Sequence, residues 1–563
     1  MVFETDEKVL ARLLAIGAAF TTIFIVSGSV TDPVNVPKML SLGVVSCAAI
    51  AIVLGSQLRV RLRELRWLVI CIALFIFFML AAVTRSNSPL SQNIFGAYGR
   101  NNGLLTYLFL SFILISAATL RSNFQLLTKA LLIAGLINVG YCLWVVSFGD
   151  FIGWSNPYGN ILGTLGNPNF IGSFLGIFFA AYLAMSMDRE SHRIFRFSAL
   201  IILPITAVEI VKSHAIQGRV VAALGVGIIG FLYIRGKFGR MVLTMYSTLI
   251  VAAGFISLLG ALQIGPLTQY IYKTSVSLRG QYWLAGWNTG KSHLLSGVGM
   301  DSFGDWYRRS RDAHALVLPG PNTVVNAAHN VPLDIFAFGG LPLFVIYLLI
   351  LGVALVAAVR VIVRSKTFDA TFAILLTAWA GYQVQSVISI NQIGLAIWGW
   401  LLSGALIAFE IASRNDSRNP SESPRPKSKS KKPNVIQPGI VLVGSIGGLI
   451  GILLSLPPFE ADAKWRSGQV ARTVPAIEST MTASYFNPQN VNKYLMNIQA
   501  LEESNLSDLS HKYAVDAVKW NPENFDLWRA LYFLKNSTGI EKQEALVNMK
   551  RLDPLNPDVT SIK

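Results

Sequence analysis

The sequence predicts an all-α protein: a polytopic transmembrane helical bundle of about 13 spans with a C-terminal soluble α-helical repeat-like domain. Three observations lead there. Hydrophobic residues make up 53% of the 563 and mean hydropathy is +0.51, more apolar material than one soluble core hides, where about 45–50% is usual. Only 14% of residues are charged, against about 25% in soluble domains. Those charges gather in short segments between long apolar runs, the distribution that a lipid environment requires.

A spanning helix needs about 20 largely apolar residues. Such runs lie near 10–27, 38–56, 67–84, 103–119, 127–149, 170–186, 197–212, 218–234, 241–264, 331–359, 369–388, 391–412 and 438–456. The first begins after a charged stretch and precedes no small-residue cleavage pattern, so it reads as an anchor rather than a signal peptide. Cys47, Cys71 and Cys142 all lie inside apolar runs and supply neither a disulfide framework nor a metal site.

Alternate loops are basic: Arg59, Arg61, Arg63 and Arg66; Arg121; Arg189, Arg193 and Arg196; Arg235, Lys237 and Arg240; Arg360, Arg364 and Lys366. By the positive-inside rule these are cytoplasmic, which puts the N-terminus inside and the C-terminal domain outside. The formal charge of +17 belongs to these loops. No basic patch interleaved with aromatics lies on a soluble segment, so nucleic acid is not an expected partner. The opposite loops, 85–102, 150–169, 213–218 and above all 265–330, are longer and rich in Gly, Asn and Pro, and face the extracytoplasmic side.

Residues 1–412 thus form the main bundle, with 413–437 a basic cytoplasmic linker containing Lys427, Lys429, Lys431 and Lys432, too polar to bury and expected to be disordered. The last membrane helix is expected at 438–456, and 457–563 turn charged and amphipathic. There Asn487-Pro488-Gln489-Asn490, Asn521-Pro522-Glu523-Asn524 and Asp553-Pro554-Leu555-Asn556 recur at spacings of 34 and 32 residues, near the tetratricopeptide period. Stacked helix pairs are expected; a hairpin domain with proline-started helices is the alternative.

Every polar cluster of interest falls in the outer loops. His329 stands where an apolar span starts, among Ala327, Ala328 and Val331, so partial burial would hold its imidazole neutral and basic near pH 7. That suits a general base; capping or interface packing is the plainer role. Arg219 opens a membrane helix after Gln217-Gly218, where a cation needs an anionic partner or snorkels to the interface. Arg219 and Arg279 on one face suit phosphate oxygens, which planar guanidinium groups bind in bidentate fashion. Two loops lead into helices: Gly99-Arg100-Asn101-Asn102-Gly103, and Gly163 to Phe170 with Asn167 and Asn169. Their Asn side chains either cap and turn the chain or meet sugar hydroxyls.

No P-loop, zinc-protease helix or hydrolase elbow occurs in a fitting context. A transporter would place ionisable groups or broken helices near the bilayer midplane, in two related halves; Glu209 is the clearest midspan charge, and the halves show no repeat. Anchoring the outer repeats would take one span.

The order of Gly163 to Phe170, the Gly218-Arg219 helix start, Arg279 with Trp283, the stretch Ser296 to Phe303, and His329-Asn330 with Gly339-Gly340 resembles the O-antigen ligase and polymerase superfamily, over roughly residues 60–410. The resemblance implies a GT-C type membrane glycosyltransferase in the cytoplasmic membrane of a bacterium, working in cell-envelope polysaccharide assembly. It implies an undecaprenyl-pyrophosphate-linked glycan as donor and neither metal nor cofactor. Carried over by position, Arg219 and Arg279 bind the donor pyrophosphate, and His329 is the catalytic group that activates an acceptor hydroxyl. Arg100, Asn101, Asn102, Asn167, Asn169, Trp283 and Asn330 are candidate substrate-loop residues. The thirteenth helix and outer repeat domain depart from the simplest ligase pattern and leave lipid, glycan and protein acceptors open. The repeats are expected to dock the acceptor, so that deleting 457–563 lowers transfer with the bundle intact.

Overall fold

The computed structural model describes residues 2–188, 193–272, 274–418, 437–481 and 488–562, and every element among them is a helix. Each of the thirteen apolar runs falls on one of these: Val2–Ile23, Asn35–Gly55, Arg66–Thr84, Leu104–Ala118, Phe124–Phe148, Pro168–Ser186, Arg193–Lys212, Ile216–Lys237, Arg240–Ala261, Val331–Arg364, Ala370–Val387, Ile393–Arg418 and Pro438–Ala471. Among the described residues ten are long and apolar enough to cross a membrane. The other three are Val2–Ile23, charged in its first turns, Leu104–Ala118, which has only 15 residues, and Ala370–Val387.

Small residues set which helices touch. Asn35–Gly55 packs closely against Pro438–Ala471. A Cβ on Gly451 would sit 2.2 Å from the Gly43 carbonyl oxygen, and one on Gly447 2.5 Å from that of Cys47. That four-residue spacing lets two backbones meet where lipid supplies no hydrophobic drive. The last membrane helix thereby returns to the second. At the rim, Arg240–Ala261 buries only Gly260, leaving its apolar side chains to face lipid.

The helix Val331–Arg364 is broken at Gly340, whose φ of 69° lies in the left-handed region. Pro342 has no N–H to offer the Phe338 carbonyl, and the Leu341 N–H turns away to the Leu294 oxygen at 2.7 Å. The two freed acceptors are met from outside the helix: Val298 N–H donates to Ala337 O at 2.9 Å and Gly299 N–H to Phe338 O at 3.0 Å. The stretch Ser296 to Gly299 is therefore a backbone splint for the break.

The loops sort to two ends, as the sequence parity requires. At one end Arg61 pairs with Glu7, Arg121 with Glu64 and Arg364 with Glu410. At the other, Asn35 donates to Gly99 O, Asp462 accepts from Asp32 N–H, and Asn102 and Asn391 exchange hydrogen bonds. The loop carrying Asp301 joins this second end through the Asn102 amide.

The Pro438–Ala471 helix runs on without a break through Pro457 and Pro458, so the boundary expected after 456 lies inside one rigid rod. Beyond it, Val474–Met481, Val491–Glu503, Ser507–Trp520, Phe525–Phe533 and Gly539–Leu552 pack in chain order around Tyr494, Leu501, Ala514, Leu527, Trp528 and Leu552. The Asn-Pro marks are helix starts: Asn490, Asn524 and Asn556 each cap the following helix by accepting its first amides. Asn487, residues 419–436 of the linker with its four lysines, and Arg189 lie outside the described residues.

Candidate active site

His329 is held by the start of the helix behind it. Asn330 caps that helix, its side-chain oxygen accepting from Leu333 N–H at 3.1 Å, and Pro332 needs no amide partner in the first turn. One turn in, the buried Asp334 reaches back and accepts from Ala328 N–H at 2.6 Å. The chain between is pinched, and His329 takes a left-handed φ of 56°, a conformation that costs energy for a residue with a Cβ and persists because both sides are fastened.

The His329 Nδ1 lies 3.2 Å from the Ala327 carbonyl oxygen. A carbonyl only accepts, so Nδ1 carries the proton and Nε2 the free lone pair. Burial, foremost, pushes the imidazole pKa down to about 4; the Ala327 carbonyl opposes this, and the positive charges of Arg100 and Arg279 add to it. At neutral pH the ring is uncharged with Nε2 available. Tyr282 lies over it at 5.1 Å between ring centroids, and Trp283 Nε1–H donates to the His329 carbonyl at 3.4 Å.

Arg279 stands one turn before Tyr282 and Trp283 on the helix Thr274–Ser292, so helical spacing turns all three toward His329. Its Nε is buried and has no hydrogen-bond partner among the described residues; burial lowers its pKa. Arg100 is alike, with a buried, unpartnered Nε and a pKa lowered by burial against the pull of Asp301, Tyr158, Asp32 and Asp334. Half-buried guanidinium groups that form no ion pair among the described residues favour an anion.

The Arg100 loop is built around Asp301, whose carboxylate accepts from the N–H groups of Ala97 at 2.7 Å and Asn102 at 3.0 Å. Asp301 is buried, and desolvation lifts its pKa to about 6. Asn102 is spent on Asn391, and Asn101 turns the chain with a φ of 55°. Asn167 caps Pro168–Ser186 by accepting from the Asn169 amide and donates to the Tyr158 hydroxyl. Of the candidate loop residues, Asn101, Asn102, Asn167 and Asn330 thus shape backbone, and the charge of Arg100 acts on the histidine.

Arg219 is placed otherwise. Gly218 and Val221 take the face packed on Pro168–Ser186, where a Cβ on Gly218 would lie 2.5 Å from Gly172 O. Arg219, about 100° further round the helix, is exposed. Among the described residues it forms no hydrogen bond or ion pair, and it is not among the charges acting on His329. The structure brings together His329, Arg279 and Arg100, without a contact from Arg219.

Between Asp301 and His329 the chain carries an arginine cluster that the sequence reading passed over. Arg311 and Arg308 both pair with Asp553 of the C-terminal domain, at 2.8 and 3.0 Å, and Arg309 pairs with Glu523. Asp305 accepts from Asn524 at 2.8 Å and Asn521 at 3.2 Å. Two of the three Asn-Pro marks are therefore docked on the segment Asp305 to Arg311, and Pro488 to Asn490 of the remaining one line a small cavity with Tyr98 and Asp462. Only the Arg-rich run itself, Arg308 to Arg311, signalled this.

No curated protein matches the chain. The family model described as O-antigen ligase matches residues 201–348. This segment runs from the helix before Arg219 through Arg279 and His329 to the break at Gly340, and over these residues the chain is similar to the O-antigen ligase family.

Proposed function

We propose that this chain transfers a glycan from an undecaprenyl-pyrophosphate carrier to an acceptor hydroxyl, with inversion and without metal, on the outer face of the cytoplasmic membrane. The family match supports the coarser statement, an O-antigen ligase- or polymerase-like membrane glycosyltransferase. The finer reading rests on one observation: a neutral imidazole with Nε2 unprotonated, under the charge of two half-buried arginines, Arg279 and Arg100, whose buried Nε atoms have no hydrogen-bond partner among the described residues.

In this reaction His329 Nε2 takes the proton of the acceptor hydroxyl as its oxygen bonds to the anomeric carbon. The bond from that carbon to the pyrophosphate oxygen breaks on the opposite side, and the electron pair leaves with the carrier. Arg279 and Arg100 favour the charge developing there. Arg219 is a further pyrophosphate arm in this reading, an exposed side chain that the carrier would draw in. The bound diphosphate would also cancel the two cations that depress the imidazole pKa, so the base strengthens when the donor is in place.

The outer assignment follows from the basic loops at the other end. Transport of a solute or lipid-linked glycan is the alternative of another class. It would use the broken helix to coordinate an ion, but the carbonyls freed at Gly340 are taken by Val298 and Gly299. Ligase, polymerase and protein O-oligosaccharyltransferase share this donor chemistry. The test is incubation of the purified protein with lipid-pyrophosphate glycan and lipid, glycan and protein acceptors, followed by mass analysis. Glycosylated acceptor and free carrier pyrophosphate are expected; unconsumed donor with all three acceptors refutes the proposal.

A further inference from the structure

Beside Arg100, and without His329 in its lining, lies a cavity of about 520 Å³, within the range of small-molecule sites. Three loops build it, around residues 27–35, 98–100 and 153–170, with Arg466 reaching in from the rod that continues the last membrane helix. No residue of Thr274–Ser292 lines it; Arg100 alone belongs both to this cavity and to the charges acting on His329.

The lining has the chemistry of a carbohydrate site. Trp154 and Tyr158 present rings whose polar tips are already tied, the indole N–H to Asp150 at 2.7 Å and the phenol oxygen to Asn167 at 3.1 Å. With their tips fixed, the ring faces remain for apolar contact, and the C–H face of a pyranose fits such a platform. Polar groups lie beside them: Asp32, to which the Asn35 amide already donates, and Arg466, whose buried Nε has no hydrogen-bond partner among the described residues. A polyprenyl tail would need a continuous apolar wall. A pyrophosphate would not favour the carboxylate of Asp32, which lines the cavity while accepting from Val34 N–H, Asn35 N–H and the Asn35 amide. Hydroxyl groups, which donate and accept, fit both the carboxylate and the guanidinium.

We infer that this cavity is the acceptor subsite and that it holds a sugar unit, with the reacting hydroxyl delivered past Arg100 to His329. The inference rests on the transferase reading and makes the acceptor a glycan or glycolipid rather than a bare peptide. The donor keeps the Arg279 side.

The test is saturation-transfer NMR on the full chain in nanodiscs, with a panel of neutral and N-acetylated lipid-free trisaccharides and no donor present. Binding of at least one sugar is expected, weakened tenfold or more by Trp154→Ala and by Tyr158→Ala and unchanged by Arg279→Ala. Trp154→Phe, which keeps a ring face, should bind within threefold of the parent and checks that the loop still folds. No binding across the panel, binding indifferent to both aromatic variants, or binding lost with Arg279→Ala overturns the inference. Transfer activity without trisaccharide binding sinks the subsite alone; trisaccharide binding without transfer sinks the transferase reading alone.

Discussion

Replacing Asp553 with alanine removes the counter-charge of two arginines at once. Arg311 and Asp553 have fully buried side chains and Arg308 is 4% exposed. After the change Arg308 keeps Asp526 at 3.1 Å, a carboxylate 31% exposed. Arg311 keeps only the carbonyl oxygens of Gly320 and Pro321. Breaking a buried pair by deleting one partner costs about 3–5 kcal/mol, because a charge is left without water or partner. The cost falls on the docked state of the loop 303–321, so its local opening should become roughly 100- to 4000-fold more frequent at about 1.4 kcal/mol per decade. Hydrogen exchange read by mass spectrometry reports this directly, as faster exchange in 303–321 and 521–556 with unchanged exchange in Leu104–Ala118. Less than a tenfold change would refute the reasoning. The same contacts revise the expectation for removing 457–563: transfer should fall because the loop leading to His329 loses its support, rather than because an acceptor dock is missing.

Three further outcomes are expected. His329 has a folded pKa of about 4 against 6.5 unfolded, so the unfolded chain binds the extra proton between those values. The stability this group contributes is fully present above pH 6.5 and is lost as pH falls toward 4, to about 3 kcal/mol; the acid limb of kcat/KM should lie near pH 4, and a limb at 6.5 or above contradicts the assignment. Gly340→Ala puts a Cβ 2.4 Å from Leu294 O at a φ of 69°, a strain of about 1–3 kcal/mol, and should lower Tm by several degrees; an unchanged Tm argues against the splinted break. Arg279→Ala removes a charge-assisted contact of about 1.5–3 kcal/mol, which should raise the donor KM by roughly 10- to 150-fold; an unaltered donor KM removes the residue from the site.

Much of the fold was legible because lipid writes a simple code. Each apolar run became a helix, and the alternation of basic and neutral loops became two distinct ends. The burial of His329 was legible from its place, at the start of an apolar run. The Asn-Pro marks, read from the sequence as the period of a helical repeat, are helix starts, since capping is a local interaction. What the sequence hid were contacts between distant segments. Asp301 stitching the Arg100 loop and Asp553 pairing with Arg308 and Arg311 join residues about 200 positions or more apart, and no local pattern encodes such pairs. Arg219 stands apart from the His329 group for a helical reason: its glycine neighbour marks the packed face, and the arginine is turned off it. The helix that carries the last apolar run extends beyond it: Pro457 and Pro458 look like a stop, yet the helix continues to Ala471.

The most direct test separates donor capture from chemistry in one protein. His329→Ala should bind lipid-pyrophosphate glycan within a fewfold of the parent, since Arg279 and Arg100 remain, and should lose transfer by roughly 100-fold or more, the usual worth of a positioned base. Transfer at the parental rate with His329 absent would contradict the central claim.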